Sequence, residues 1–282
     1  MKSSFCLLAI AGLSVLMPVS AQDQQTNEYH NLKIAIEFGT NVIGTKLAKP
    51  EQIRENYSAD DKNNYGLFAD REYTSMKTKY FGLKPEFFVF HNRVGIASGL
   101  RLTVVNAELA SNSGNNVFLW KIKEDKNDDL ITDYVRIMDI HQKSHLLSVP
   151  FELRFFLNNR EKPVQNYIKL GASINYNISS KYNVNFTDKA MEKHNDLING
   201  QLSGYNMLSA FFFGAFGFKI GKYREGSWVP WGNIEFQFPY ILLTDKSFAF
   251  AGKYNKIENF PGAGLQISFQ IPIGNNVPIG SN

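Results

Sequence analysis

The chain has 282 residues, 44% of them apolar, with 30 Lys and Arg against 26 Asp and Glu, a formal charge of +4 and a mean hydropathy of −0.25. The negative mean hydropathy excludes a bundle of membrane-spanning helices, each of which needs about 20 consecutive apolar residues. The near-balance of charge lacks the basic stripe of a nucleic-acid binder, and neither the 14% aromatic content nor the single cysteine suggests a cytosolic enzyme.

The N-terminus reads as an export signal. Met1-Lys2 supplies a positive start, Phe5 to Met17 is uncharged and mostly apolar, and Pro18-Val19-Ser20-Ala21 ends on a small-x-small pattern. Such a run is too short to span a bilayer and carries a cleavage site behind it. Residues 1–21 are therefore expected to be removed after Ala21, with 22–30 a short periplasmic segment. The one cysteine, Cys6, lies inside the removed run. The exported chain then has no disulfide, and its stability must come from burial or from a membrane.

From Leu32 the dominant hydrophobic period is two. Leu32, Ile34, Ile36 and Phe38 alternate with Lys33, Ala35, Glu37 and Gly39. In the second segment Phe81, Leu83, Phe87 and Val89 oppose Gly82, Lys84, Glu86 and Phe88, and in the third Val94, Ile96, Leu100, Leu102 and Val104 oppose Gly95, Ala97, Gly99, Arg101 and Thr103. The fourth sets Leu147, Val149, Phe151, Leu153 and Phe155 against Ser148, Pro150, Glu152 and Arg154. Ile168, Leu170, Ala172, Ile174 and Tyr176 form the fifth, with Lys169, Gly171, Ser173 and Asn175 between them. The sixth, seventh and eighth place Leu208–Phe218, Ile234–Tyr240 and Ala263–Ile271 in the same pattern. Each segment runs for about 10 to 14 residues, beyond the roughly 5 or 6 of a globular strand and enough for a tilted spanning strand of about 9 to 11. Leu197–Phe218 carries no charge, but four glycines at roughly 1 kcal/mol each oppose a helix, so it reads as a loop followed by a strand.

Connections alternate in length. Those after segments two, four and six are short (His91–Arg93, Asn158–Gln165, Gly221–Ser227). The other four are long: Gly44–Met76, Ala107–Lys143, Ser179–Gly204 and Asp245–Lys256. All long connections thus emerge at one end, the pattern of an outer-membrane barrel with both termini on the periplasmic side.

Three features predict that the apolar face meets lipid rather than the inside of a soluble barrel. Glycines crowd the polar face (Gly39, Gly82, Gly95, Gly99, Gly171, Gly217, Gly262 and Gly264), where they make room in a narrow interior. Tyr80, Tyr167, Tyr205, Tyr223, Trp228, Trp231 and Tyr240 sit near segment ends, as rings at headgroup height do. Finally, the polar face carries Glu37, Glu86, Glu152 and Glu235 with Lys33, Lys84, Arg101, Arg154, Lys169 and Lys219. Because unpaired charges in a small lumen are costly, these are expected to pair as a structural plug rather than an ion path.

Ser148-Val149-Pro150-Phe151-Glu152-Leu153-Arg154-Phe155-Phe156, a short turn and Tyr167-Ile168-Lys169-Leu170-Gly171-Ala172-Ser173 resemble the central hairpin of the PorT-like outer-membrane β-barrel family of Bacteroidota-type bacteria. The resemblance extends in outline from Leu32 to Ile273, including Phe38-Gly39 and Gly262-x-Gly264-Leu265, through degenerate motifs. It implies an eight-stranded barrel, and in some members a component of type IX protein secretion. Unlike many outer-membrane barrels, the chain continues through Gly274–Asn282 after Phe269 instead of ending on an aromatic residue.

Other candidate sites read more plainly. Asp125-x-Asn127-x-Asp129 starts like a calcium loop but has Leu130 where Gly and Arg136 where Glu belong, which leaves a solvated acidic loop. His141 and His145 lack the glutamate of a zinc-protease motif and read as rim histidines. Asp139, His141, Ser144 and His145 hold the residue types of a rim acyltransferase, but no spacing fixes their geometry. Phe118, Leu119 and Trp120 in the second long connection, with Phe248-Ala249-Phe250 in the fourth, form either an exposed partner-binding patch or extensions of strands packed on each other.

These readings converge on an all-β, eight-stranded antiparallel up-and-down transmembrane β-barrel over residues 31–273, with a periplasmic tail at 274–282. The expected protein is a non-enzymatic envelope component of the outer membrane, with no catalytic residue, metal or cofactor, acting through its long outer loops. Its partners would be outer-membrane lipid and other envelope or secretion-complex proteins, without nucleic acid. The alternatives are a rim-site lipid-modifying enzyme and a soluble periplasmic ligand-binding barrel.

Overall fold

Period-two alternation gives a strand two chemically distinct faces, and a sheet with two faces must bury one of them. In the computed structural model the chain resolves this by closing the sheet on itself. The structure describes residues 33–47, 53–54, 72–89, 93–111, 117–126, 129–157, 163–204, 206–224, 227–244, 248, 251–252 and 262–272. The expected signal segment, the 22–30 segment and the 274–282 tail lie outside them.

In chain order the strands are β1 (Lys33–Leu47), β2 (Ile53–Arg54), β3 (Glu72–Val89), β4 (Val94–Ser98), β5 (Leu100–Ser111), β6 (Phe118–Lys126), β7 (Asp129–Phe156) and β8 (Val164–Phe186). A 3₁₀ turn (Lys189–His194) and helix α1 (Asn195–Leu202) follow, then β9 (Leu208–Arg224), β10 (Ser227–Leu242), β11 (Ala251–Gly252) and β12 (Ala263–Pro272). β4 and β5 keep a single register against both neighbours, with Leu83↔Leu100 and Glu86↔Ala97 on one side. On the other side Ser98↔Phe151 and Arg101↔Ser148 agree in the same way. They are therefore one strand interrupted at Gly99. A Cβ there would lie 2.1 Å from the Leu83 carbonyl oxygen and 2.8 Å from the Lys84 Cα, so this crossing of backbones requires glycine.

Counted so, eight antiparallel strands pair neighbour to neighbour in chain order, and β1 closes the ring by pairing with both β3 and β12. Closure satisfies the backbone groups that an open edge would leave unpaired.

The two faces exchange character along the strands. Toward the short connections the outward residues are apolar: Phe38, Phe81, Leu102, Leu147 and Tyr176 form one cross-strand row, all at least 39% exposed. The inward residues there are Glu37, Lys84, Arg101, Glu152, Lys169 and Glu235, none more than 2% exposed. Toward the long connections the order inverts on β3, β5, β7 and β8, while outward Val42 on β1 and Leu208 on β9 stay apolar at that end. Lys77, Lys79, Asn106, Lys143 and Lys181 face out, while Ile43, Met76, Val105, Leu109, Ile140 and Val184 face in. On β8 the outward run Ile168, Leu170, Ala172, Ile174, Tyr176 and Ile178 marks the height of the apolar belt. The ten steps from Ile168 to Ile178, at about 3.3 Å each and a tilt of about 40°, span roughly 25 Å.

Several features differ from the sequence reading. Strands run far into the long connections: β7 has 28 residues and β8 has 23. Past β5, strand β6 takes over as the partner of β7, from Phe118↔Ile137 to Lys126↔Asp129. Of the expected acidic loop, Asp125 and Asp129 therefore lie in the paired strands β6 and β7, and Asn127 and Asp128 lie outside the described residues. The stretch read as loop before β9 contains α1, whose Ile198 and Leu202 are fully buried. Tyr80, Tyr167 and Tyr240 are 5%, 0% and 2% exposed and point inward rather than to a headgroup belt. Tyr80 and Tyr167 share the parity of Lys84 and Lys169, and a register shift between Gln237 and Tyr240 turns Tyr240 over. Trp231 does face out, at 48%; the side chains of Tyr205, Tyr223 and Trp228 are not among those described.

Candidate functional site

Inward parity places charged residues from seven of the eight ring strands at one level, and β12 adds Gln266 and Gln270. Glu152 on β7 is the hub. Its carboxylate accepts from Lys84 Nζ at 2.6 Å and from Arg101 at 3.2 Å, and takes Arg154 at 3.3 Å and Lys169 at 3.4 Å. Glu37 on β1 receives Lys84 at 2.7 Å and Arg101 Nε at 2.8 Å. Arg154 bridges two further carboxylates, Glu86 at 2.6 Å and Glu235 at 2.9 Å. Lys169 also donates to Glu235, whose other oxygen accepts from Tyr167 Oη at 2.6 Å. Lys219 on β9 reaches Glu86 at 3.5 Å, and Gln270 donates to the same carboxylate.

Rings complete the plug. Tyr80 stacks under the Arg101 guanidinium, 4.1 Å from its carbon to the ring centroid, and donates to Gln266 at 2.8 Å. Phe88 lies 4.0 Å from Lys219 Nζ, a cation–π contact that offsets part of the lost hydration. Three of these inward rings sit directly opposite glycines: Tyr80↔Gly39, Tyr167↔Gly217 and Phe213↔Gly171. A Cβ at any of the three would come within 2.1–2.4 Å of the facing ring. The glycines thus supply the room that a narrow lumen needs for large side chains.

Above the charges the filling becomes apolar. Phe211 and Phe213 pack on Tyr240 at 5.3 and 5.8 Å between centroids. Beyond them Met76, Val105, Ile140, Phe118, Trp120 and Ile122 form a core under α1. Trp120 Nε1 donates to Gln201 at 2.6 Å, and Gln201 donates back to the Lys121 carbonyl at 3.3 Å, tying hairpin to helix.

Of the ten charged residues expected to pair in the lumen, nine (Glu37, Glu86, Glu152, Glu235, Lys84, Arg101, Arg154, Lys169 and Lys219) lie in this cluster, together with Tyr80 and Tyr167; Lys33 lies over the Phe88 ring, 5.3 Å from its centroid. The signal for the two tyrosines is their parity with Lys84 and Lys169. Of the run considered for partner binding, Phe118 and Trp120 are fully buried and Leu119 is half-buried. Phe248 is buried too, at 1%, while Ala249 and Phe250 lie outside the described residues. This run extends strands and packs inward; it is not an exposed patch. Asp139 and His141 approach to 3.1 Å at the surface. Ser144, however, faces inward, bonded to Ser180 at 2.7 Å, whereas His141 and His145 face out, so neither histidine can act as its base. Among the described residues no group of three His, Cys, Asp or Glu side chains could hold a metal.

The arrangement can fill and rigidify a lumen. Its charged groups are spent on one another. No protein-family model matches the chain, and no curated protein matches it.

Proposed function

We propose that the chain is a non-enzymatic integral outer-membrane β-barrel of PorT-like type, sealed through its middle, that carries a folded crown beyond the membrane. The crown is offered to other envelope or secretion-complex proteins. The observation that carries this reading is the exchange of faces along the strands. A soluble barrel keeps its apolar face inward throughout. Here a belt of outward Phe, Leu and Ile surrounds a charged interior, and the ordinary soluble pattern begins only above it, on β3, β5, β7 and β8. The belt's height of roughly 25 Å matches the apolar band of outer-membrane barrels, and the hairpin carrying the PorT-like resemblance lies in it, with Leu153↔Leu170 and Glu152↔Gly171 paired. Against a rim enzyme stands the opposite facing of Ser144 and the two histidines.

Heat-modifiability tests the reading. Protein from the membrane fraction, run on a detergent gel without boiling, should migrate differently from the boiled sample. Recovery in the aqueous fraction with no mobility shift would overturn it. Co-purification from crosslinked envelopes then asks whether the crown holds a secretion component or another envelope protein.

A further inference from the structure

The outward face just above the apolar belt is not uniformly polar. Across four adjacent ring strands it is basic on β3, β7 and β8, with Asn106 and Val104 of β5 between them. One cross-strand row runs Val42, Lys77, Asn106, Lys143, Lys181, and the row beneath it runs Thr40, Lys79, Val104, His145, Ser179. Below these comes the fully apolar row Phe38 to Tyr176. Lys77, Lys79, Lys143, Lys181 and His145 are all exposed. Lys143 and Lys181 stand directly opposite each other on β7 and β8, an arrangement that like charges disfavour. Among the described residues no carboxylate lies within 4.0 Å of any of the four lysines. The acids of this face are Glu108, opposite His141, and Asp139, already bonded to His141 and Asn185. On β9, β10 and β12, and on β1 as far as Thr45, the described outward residues at the corresponding ends carry no charge: Leu208, Ile241, Leu243, Ala263, Val42 and Gly44. The basic patch is one-sided.

We propose that this patch is a docking site for phosphorylated glycolipid of the outer leaflet, whose phosphates sit between Lys143 and Lys181 and beside Lys77 and Lys79 while its acyl chains lie along Phe81, Leu102, Leu147 and Tyr176. The inference rests on the membrane reading above and adds the lipid class. Position decides for a lipid over a free anion: the lysines border the apolar belt at the height where a headgroup ends and acyl chains begin, and the row below offers a continuous apolar surface for chains.

The test uses the folded protein in detergent, titrated with diphosphorylated lipid A and with the same lipid dephosphorylated. The proteins are the wild type, a K77Q/K79Q/K143Q/K181Q variant and a control from the exposed 3₁₀ turn, K189Q/K193Q. Each is checked for heat-modifiability in parallel. The proposal expects the wild type and the control to favour the phosphorylated lipid, and the fourfold variant to lose roughly tenfold or more in affinity for it while still shifting on heating. It is overturned if the fourfold variant binds as the wild type does, if the control loses as much, or if removing the phosphates changes nothing. Displacement of the lipid from the wild type by millimolar inorganic phosphate would overturn it too, as the site would then be one for a free anion. Absence of a heat shift in the wild type would instead remove the membrane reading, and this proposal with it.

Discussion

At the residue scale, Glu152 concentrates the energetics of the lumen. Four cations approach one carboxylate that is 2% exposed. A buried ion pair is weak evidence of net stabilisation, but removing one partner leaves the other charges stranded in low dielectric. Glu152→Ala is therefore expected to cost about 3–5 kcal/mol, read as a lowered urea midpoint for unfolding in detergent micelles. A change below about 1 kcal/mol, the level of an exposed pair, would contradict the plug as described. The charged members of this cluster are legible in the sequence, because alternation alone puts Glu37, Lys84, Arg101 and Lys169 on one face. Which cation meets which carboxylate is not, since that depends on the stagger between strands. Tyr80 and Tyr167 mislead because an aromatic near a strand end suggests a headgroup belt, when their parity with lysines already aims them inward.

At the scale of elements, the sequence reading stops the strands where outward apolar residues end. Period two continues past that point in β3, β5, β7 and β8 with its faces exchanged: Lys77, Asn106, His141 and Lys181 now alternate with Met76, Ala107, Ile140 and Val184. A reading that follows one face sees the pattern vanish, although the other face carries it on. The bulge at Gln237–Tyr240 is a similar loss, since one register shift reverses every later side chain. Helix α1 is hidden by Gly200, which lies in its last turn in open space, where a Cβ would meet nothing within 4 Å, so the glycine answers no packing demand there. If α1 closes the crown by packing, Ile198→Ala together with Leu202→Ala should remove about 2–5 kcal/mol each from that local contact. Limited proteolysis within residues 188–204 should then rise steeply while the heat shift of the barrel stays intact. Loss of both together would mean that crown and barrel unfold as one unit.

At the scale of the whole molecule, a single ring of eight strands has an apolar outside around a charged inside at one end, and on β3, β5, β7 and β8 that order is reversed at the other. The ring and the alternating connections follow from the sequence; the crown does not, because β2 reaches β6 and β11 reaches β1 only across large separations in the chain. The most direct measurement of the exchange is site-directed spin labelling in lipid vesicles, with single cysteines replacing Leu102, Phe151 and Ile174 in the belt and Lys143 and Lys181 above it. The account predicts that labels at the first three are relaxed strongly by oxygen and weakly by a water-soluble nickel chelate, and that labels at the two lysine positions show the reverse. Equal access of the chelate to all five positions would contradict it.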